Sequence, residues 1–134
     1  MIEVIEKRRA RLPFVKILPS VPYLTYLALM KHCACMVGNT SSAILEAPSF
    51  KTPAVNIGER QVGREQGGNV LNVPHEKKAI KAAVQKALSP AFHQELLSSC
   101  ISPYGDGKAS SRIVKVLREI KLDEKLFKKQ MMDE

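Results

Sequence analysis

The sequence predicts an α/β fold, a Rossmann-like parallel sheet flanked by helices. Three observations carry the prediction. Short apolar runs, each too brief for a helix, recur at 14–18, 34–38, 53–57 and 70–73. Segments of helical periodicity lie between or after them, and glycine-rich or hydroxyl-rich stretches follow where the runs end. Alternation of this kind is the mark of strands joined by helices into one parallel layer.

Along the chain, residues 1–11 read as a helix that Pro13 ends, and "FVKIL" (14–18) as a first strand. "PYLTYLALMKHC" (22–33) reads as a helix with proline at its start, where the missing N–H costs nothing. It is apolar nearly all round, which predicts a well-buried helix. "ACMVG" (34–38) is the next strand, uninterrupted as parallel strands often are. A brief helix from Ser42 to about Ala47 follows, with Pro48 as its terminator.

"PAVNI" (53–57) is a further strand, followed by the loop "GERQVGREQGG", and "VLNV" (70–73) reads as an edge strand. Ile80, Ala83, Val84, Ala87 and Leu88 describe one helical face, a shorter helix covers Phe92 to Ser99, and "PYGDG" (103–107) is a turn. Ile113, Val116, Leu117 and Ile120 repeat the helical spacing. The tail would extend that helix or cross onto a neighbouring domain through Leu122, Leu126, Phe127 and Met131.

A chain of 134 residues, 45% hydrophobic, is sized for one soluble domain. No apolar run reaches the roughly 18 residues of a membrane span, and the start lacks the layout of a signal peptide, so the expected location is cytoplasmic. Cys33, Cys35 and Cys100 suggest neither a zinc site nor a disulfide framework and read as buried free thiols. The net charge of +8 admits a polyanionic partner. Yet the basic residues are scattered and interrupted by carboxylates, which speaks against nucleic acid and fits small phosphorylated ligands, or a plain solvated surface, as well.

In a doubly wound sheet, ligands bind beyond the carboxyl ends of the strands. That rim would gather "SVPY", "GNTSS" and "GERQVGR". Gly38 permits a sharp bend, the backbone N–H groups at the helix start attract anions, and the hydroxyls of Thr40, Ser41 and Ser42 can donate to phosphate oxygens. The alternative is a plain helix cap, worth about 1 kcal/mol. Glu46 lies one turn past Ser42 on the same face, where a carboxylate can accept from a pair of ribose hydroxyls or simply sit on the surface. Arg60 and Arg64 offer guanidinium forks to phosphate, with surface ion pairing as the equal alternative. Neither a P-loop nor a GxGxxG fingerprint is present, which argues against NAD.

Taken together, "GNTSSAILEAPSFKTPAVNIGERQVGRE" (38–65) resembles the carboxyl-terminal half of UDP-N-acetylglucosamine 2-epimerases. It is nearest the hydrolysing branch that feeds sialic acid and related nonulosonate synthesis, whose pattern reads close to GNSSSGIxEAPSFGxPxVNIGxRQxGR. "GNVLNV" (68–73) and "YGDGKASSRIVKVL" (104–117) also resemble that family's closing segments. Thr40 and Ala43 depart from its serine and glycine, the first keeping the hydroxyl and the second crowding the backbone slightly.

The resemblance implies part of a glycosyltransferase-B-type fold, with a nucleotide sugar between two halves and the UDP moiety on this one. It implies that Thr40 and Ser41 meet the diphosphate, Glu46 the ribose, Arg60 the phosphate or its loop, and Val21 to Tyr23 the uracil. It implies no cofactor, no metal and no catalytic residue on this chain; the acidic residues that remove the proton and drive elimination would lie on an amino-terminal partner domain. Self-association into a homo-oligomer is also expected, because an isolated half leaves an uncovered face. The alternatives are a stand-alone UDP or UDP-sugar binding module and, with only the charge in its favour, a basic nucleic-acid-binding domain.

Overall fold

The computed structural model describes residues 12–121 together with Ile5 and Arg8. Three parallel strands, β1 (Met36–Gly38), β2 (Ala54–Ile57) and β3 (Val70–Val73), form a sheet in the order β1-β2-β3. Register pairs Val37 with Val55 and Val55 with Leu71, so these three line one face. This is the Rossmann-like α/β arrangement that the alternating pattern predicts.

Helix α1 (Tyr23–His32) precedes β1, and α2 (Ser42–Leu45) with a 3-10 turn (Ala47–Phe50) joins β1 to β2. Helices α3 (Lys77–Ala87), α4 (Pro90–Ser99) and α5 (Ala109–Glu119) follow β3. Ser89 caps α4 by accepting from the Phe92 N–H at 3.3 Å, with Pro90 in the first helical position.

The face carrying Val55 packs against Ala83 and Ala87 of α3, with Cys35, Ile57, Leu71, Val73 and Val84 around them. Leu71 also meets a second cluster of Phe92, Leu96 and Cys100, tying α4 to the same sheet. On the other side Met30, Ile44, Ala47 and Ala54 are almost wholly buried. Each large apolar side chain so enclosed contributes roughly 1.5–3 kcal/mol.

Buried polar side chains stitch these layers together. The Thr52 hydroxyl donates to the Met30 carbonyl at 2.9 Å, and Asn69 Nδ2 donates to the Ala43 and Thr52 carbonyls at 3.2 and 2.9 Å. Asn69 is fully enclosed, so one side chain ties the start of β3 to α2 and to the approach of β2. Lys51 closes the 3-10 turn in the left-handed conformation, at φ 57° and ψ 29°, and its Nζ donates to the Leu97 carbonyl on α4.

Several expectations are corrected. Residues 14–18 form no strand, and Phe14, Ile17 and Leu18 are exposed. Helix α1 buries only Met30 fully, while Leu24 and Leu29 face outward. Pro48 does not stop the chain from turning: α2 ends at Leu45, and Pro48 sits inside the 3-10 turn, where it needs no N–H partner. The connection from β2 to β3 is the glycine-rich loop, as the sequence suggests, with no helix in it. The three cysteines are free as expected, although only Cys100 is fully buried. Of the helix expected over 1–11, only Ile5 and Arg8 are described, both helical, and the tail contacts expected at 122–131 lie outside the described residues. No described helix is long and apolar enough to cross a membrane.

Candidate functional site

Because β1 and β2 are parallel, Gly38 and Ile57 end on the same rim, and the segments that follow them are neighbours. Gly38 leaves β1 at φ 150°, a backbone conformation that side-chain-bearing residues rarely adopt. A Cβ there would meet nothing within 4 Å, so backbone freedom rather than space is the reason for glycine. Thr40, Ser41 and Ser42 are half-buried, and none of their hydroxyls donates a hydrogen bond among the described residues.

The first-turn amides are not the free donors that the sequence suggests. The N–H groups of Ala43, Ile44 and Leu45 bond to the Thr40 and Ser41 carbonyls, and the Ser42 N–H reaches Thr40 Oγ1 at 3.4 Å. The unclaimed donors lie just upstream: the Thr40 and Ser41 amides donate to no acceptor in the described residues. Two amides and three hydroxyls on one short segment can hold phosphate oxygens.

Glu46 is half-buried, and its Oε1 accepts from the Tyr23 hydroxyl at 2.9 Å. That bond, and secondarily the carboxylate's charge, raise the Tyr23 pKa above its ordinary value, so the phenol remains a donor. "SVPY" thus reaches the site not from a strand end but through the first residue of α1. Val21 is half-buried beside it.

Arg60 and Arg64 are exposed and make no side-chain hydrogen bond or ion pair among the described residues. Their loop is nevertheless held at several points. Gln61, between them, donates from Nε2 to the Asn39 carbonyl at 2.8 Å. Asn56 donates to Asn72 and Asn72 to Gln66, each at 2.8 Å, while the Tyr104 hydroxyl donates to the Glu65 carbonyl at 2.7 Å. Gly58 lies under the His75 ring, which a Cβ would approach within 2.2 Å. The structure therefore brings Tyr23 to Glu46 and the 38–42 segment to the 58–66 loop, with the two guanidiniums unengaged.

A depression of about 460 Å³ opens beside this loop, lined by Gly58, Glu59, Val62, Gln66, Asn72, Val73 and Pro74. The predicted contact residues do not line it. Gln61 escaped the sequence reading because a single glutamine in a polar loop has no periodicity or spacing to mark it. Its signals were its place between two arginines and its match to the glutamine of the GxRQxGR pattern. No group of three or more metal-ligating side chains occurs among the described residues.

Residues 1–118 match the family model described as UDP-N-acetylglucosamine 2-epimerase. The chain belongs to the UDP-N-acetylglucosamine 2-epimerase family. Among its epimerase-family relatives, "UDP-N,N'-diacetylbacillosamine 2-epimerase (hydrolyzing)" of Legionella pneumophila is 34% identical over 117 residues, covering 87% of this chain and 30% of that protein. "GDP/UDP-N,N'-diacetylbacillosamine 2-epimerase (hydrolyzing)" of Campylobacter jejuni is 39% identical over 103 residues, 77% of this chain and 26% of its own length. "Polysialic acid biosynthesis protein P7" of Escherichia coli is 36% identical over 94 residues, 70% and 24% respectively. The chain spans about a quarter of the length of these curated relatives.

Proposed function

We propose that this chain is the UDP-binding, carboxyl-terminal portion of a hydrolysing UDP-N-acetylglucosamine 2-epimerase. The observation that carries the reading is the segment after β1, where the Thr40 and Ser41 amides and three neighbouring hydroxyls have no acceptor, one short helix away from Glu46. Thr40, Ser41 and Ser42 would hold the diphosphate, with Arg60 and Arg64 closing over it from the neighbouring loop. Glu46 would take the ribose hydroxyls on Oε2, since Tyr23 occupies Oε1. Val21 and Tyr23 would lie against the uracil.

In this reading the substrate is UDP-N-acetylglucosamine or a related acetamido sugar. Removal of the C2 proton accompanies anti elimination of UDP, and water then adds to the glycal to release N-acetylmannosamine for sialic or nonulosonic acid synthesis. The chain's own contribution is to stabilise the charge that grows on departing UDP, using fixed backbone dipoles and hydroxyls. Proton removal and water addition fall to an amino-terminal domain facing this one across a cleft. Cytoplasmic location and assembly into a homo-oligomer belong to the same proposal.

Calorimetric titration tests it. UDP should bind saturably, UMP more weakly and uridine weakest, and the double substitution Ser41→Ala with Glu46→Ala should abolish binding. A folded chain with no preference for UDP over uridine would refute the diphosphate role.

A further inference from the structure

We infer that Gln61 is a positioning residue that aims the Thr40 amide at the anion, an assignment that rests on the diphosphate reading of the 38–42 segment. Gln61 is 2% exposed, although it sits in a loop whose neighbours Arg60, Val62, Gly63 and Arg64 are all exposed. Its Nε2 donates to the Asn39 carbonyl at 2.8 Å, the direct side-chain link between the loop after β2 and the segment after β1.

That carbonyl shares a planar peptide with the Thr40 N–H. In a trans peptide the two point in opposite directions, and the described chain has no cis bond. Holding the oxygen against Gln61 therefore turns the Thr40 N–H away from Gln61, with its donor free. The plane of that peptide turns about the Asn39 ψ and Thr40 φ bonds, and neither residue belongs to a helix or strand that would fix it. Gln61 Oε1 is buried without a partner, so the amide is oriented by its donated bond alone. Turning it over would set two oxygens against each other, which fixes the sense of the link.

Gln61 is itself well placed to serve as an anchor. Its carbonyl accepts from the Arg64 N–H at 3.3 Å, and the loop is tied further along through Gln66 and Glu65. The loop after β2 thus sets the direction of a donor on the loop after β1. The predicted signature is selectivity for the phosphates, not for the base.

The test uses Gln61→Leu in the full chain, with UDP and uridine titrated separately and the Thr40 and Ser41 amides followed by 15N relaxation. UDP affinity should fall about tenfold, as for loss of one well-aimed hydrogen bond to a charged group, while uridine affinity stays within about twofold. In the unsubstituted chain both amides should be as rigid as those of the core, with order parameters of about 0.85, and in the variant they should drop toward about 0.6. Equal losses for UDP and uridine, or unchanged amide order in the variant, would overturn the assignment. If the variant does not fold, order parameters below about 0.6 for Thr40 in the unsubstituted chain overturn it, and rigid values support it. Failure of the unsubstituted chain to bind UDP would instead sink the diphosphate reading, leaving the relaxation data to decide whether Gln61 holds this peptide.

Discussion

Helices α3 and α5 are both eleven residues long and carry the same apolar spacing, yet they differ completely in what they bury. In α3, Ala83 and Ala87 are 9% and 0% exposed against the sheet. In α5, Ile113, Val116 and Leu117 are 57%, 58% and 67% exposed, and no residue is buried. Periodicity reveals that a helix has an apolar face; it does not reveal what covers that face. The small residues on α3 are the better clue, because a close approach to the strands requires them.

The contrast can be broken most directly at its buried end. Ala87→Asp places an unpaired carboxylate against Val55, and should cost about 3 kcal/mol or more, read as a fall in the urea midpoint of the purified chain. Asn69→Ala, which strips the Ala43 and Thr52 carbonyls of their buried donor, should cost on the order of 1–3 kcal/mol by the same measurement. Leu117→Asp should change stability by less than about 0.5 kcal/mol; a larger loss would mean that something covers the α5 face in solution.

The smallest effect concerns how α5 begins. The Arg112 guanidinium, at 2.9 and 2.7 Å from the two Asp106 oxygens, and then the Lys108 N–H, hold the Asp106 carboxyl below its usual pKa. A carboxylate depressed in the folded state stabilises above its unfolded value of about 3.9, and that stabilisation disappears as pH falls through the folded value. Asp106→Asn should therefore lower α5 helicity at neutral pH, with the gap to the unsubstituted chain closing in acid, as followed by circular dichroism.

Strand and helix types were legible wherever side-chain pattern alone decides them, as in β1, β2, β3, α3 and α4. "FVKIL" shows the limit. Its residues favour a strand, but a strand exists only as a ladder, and residues 14–18 pair with no edge of the sheet. Helix α1 was placed correctly but its burial was not, because an apolar sequence states what a face could bury and not whether a neighbour reaches it.

At the rim the segments were legible and their wiring was not. "GNTSS", Glu46 and the arginines announce themselves by residue type. The Tyr23–Glu46 bond spans 23 residues and the Gln61–Asn39 bond 22, and neither leaves a local trace. The position of the free amides was missed for a related reason. Whether α2 begins at Thr40 or two residues later decides which N–H groups are consumed internally, and helix ends are not resolved at that scale by sequence.

Lys51 stands where the family-like pattern has glycine, and it is the one side-chain-bearing described residue at positive φ. A left-handed conformation costs such a residue roughly 1–2 kcal/mol. In return its ammonium latches the 3-10 turn to the Leu97 carbonyl on α4. For anyone wishing to harden this chain by protein engineering, the position is a fork and not a flaw. Glycine there relaxes the turn and lets go of the helix, so backbone comfort and tertiary attachment cannot both be improved by one codon.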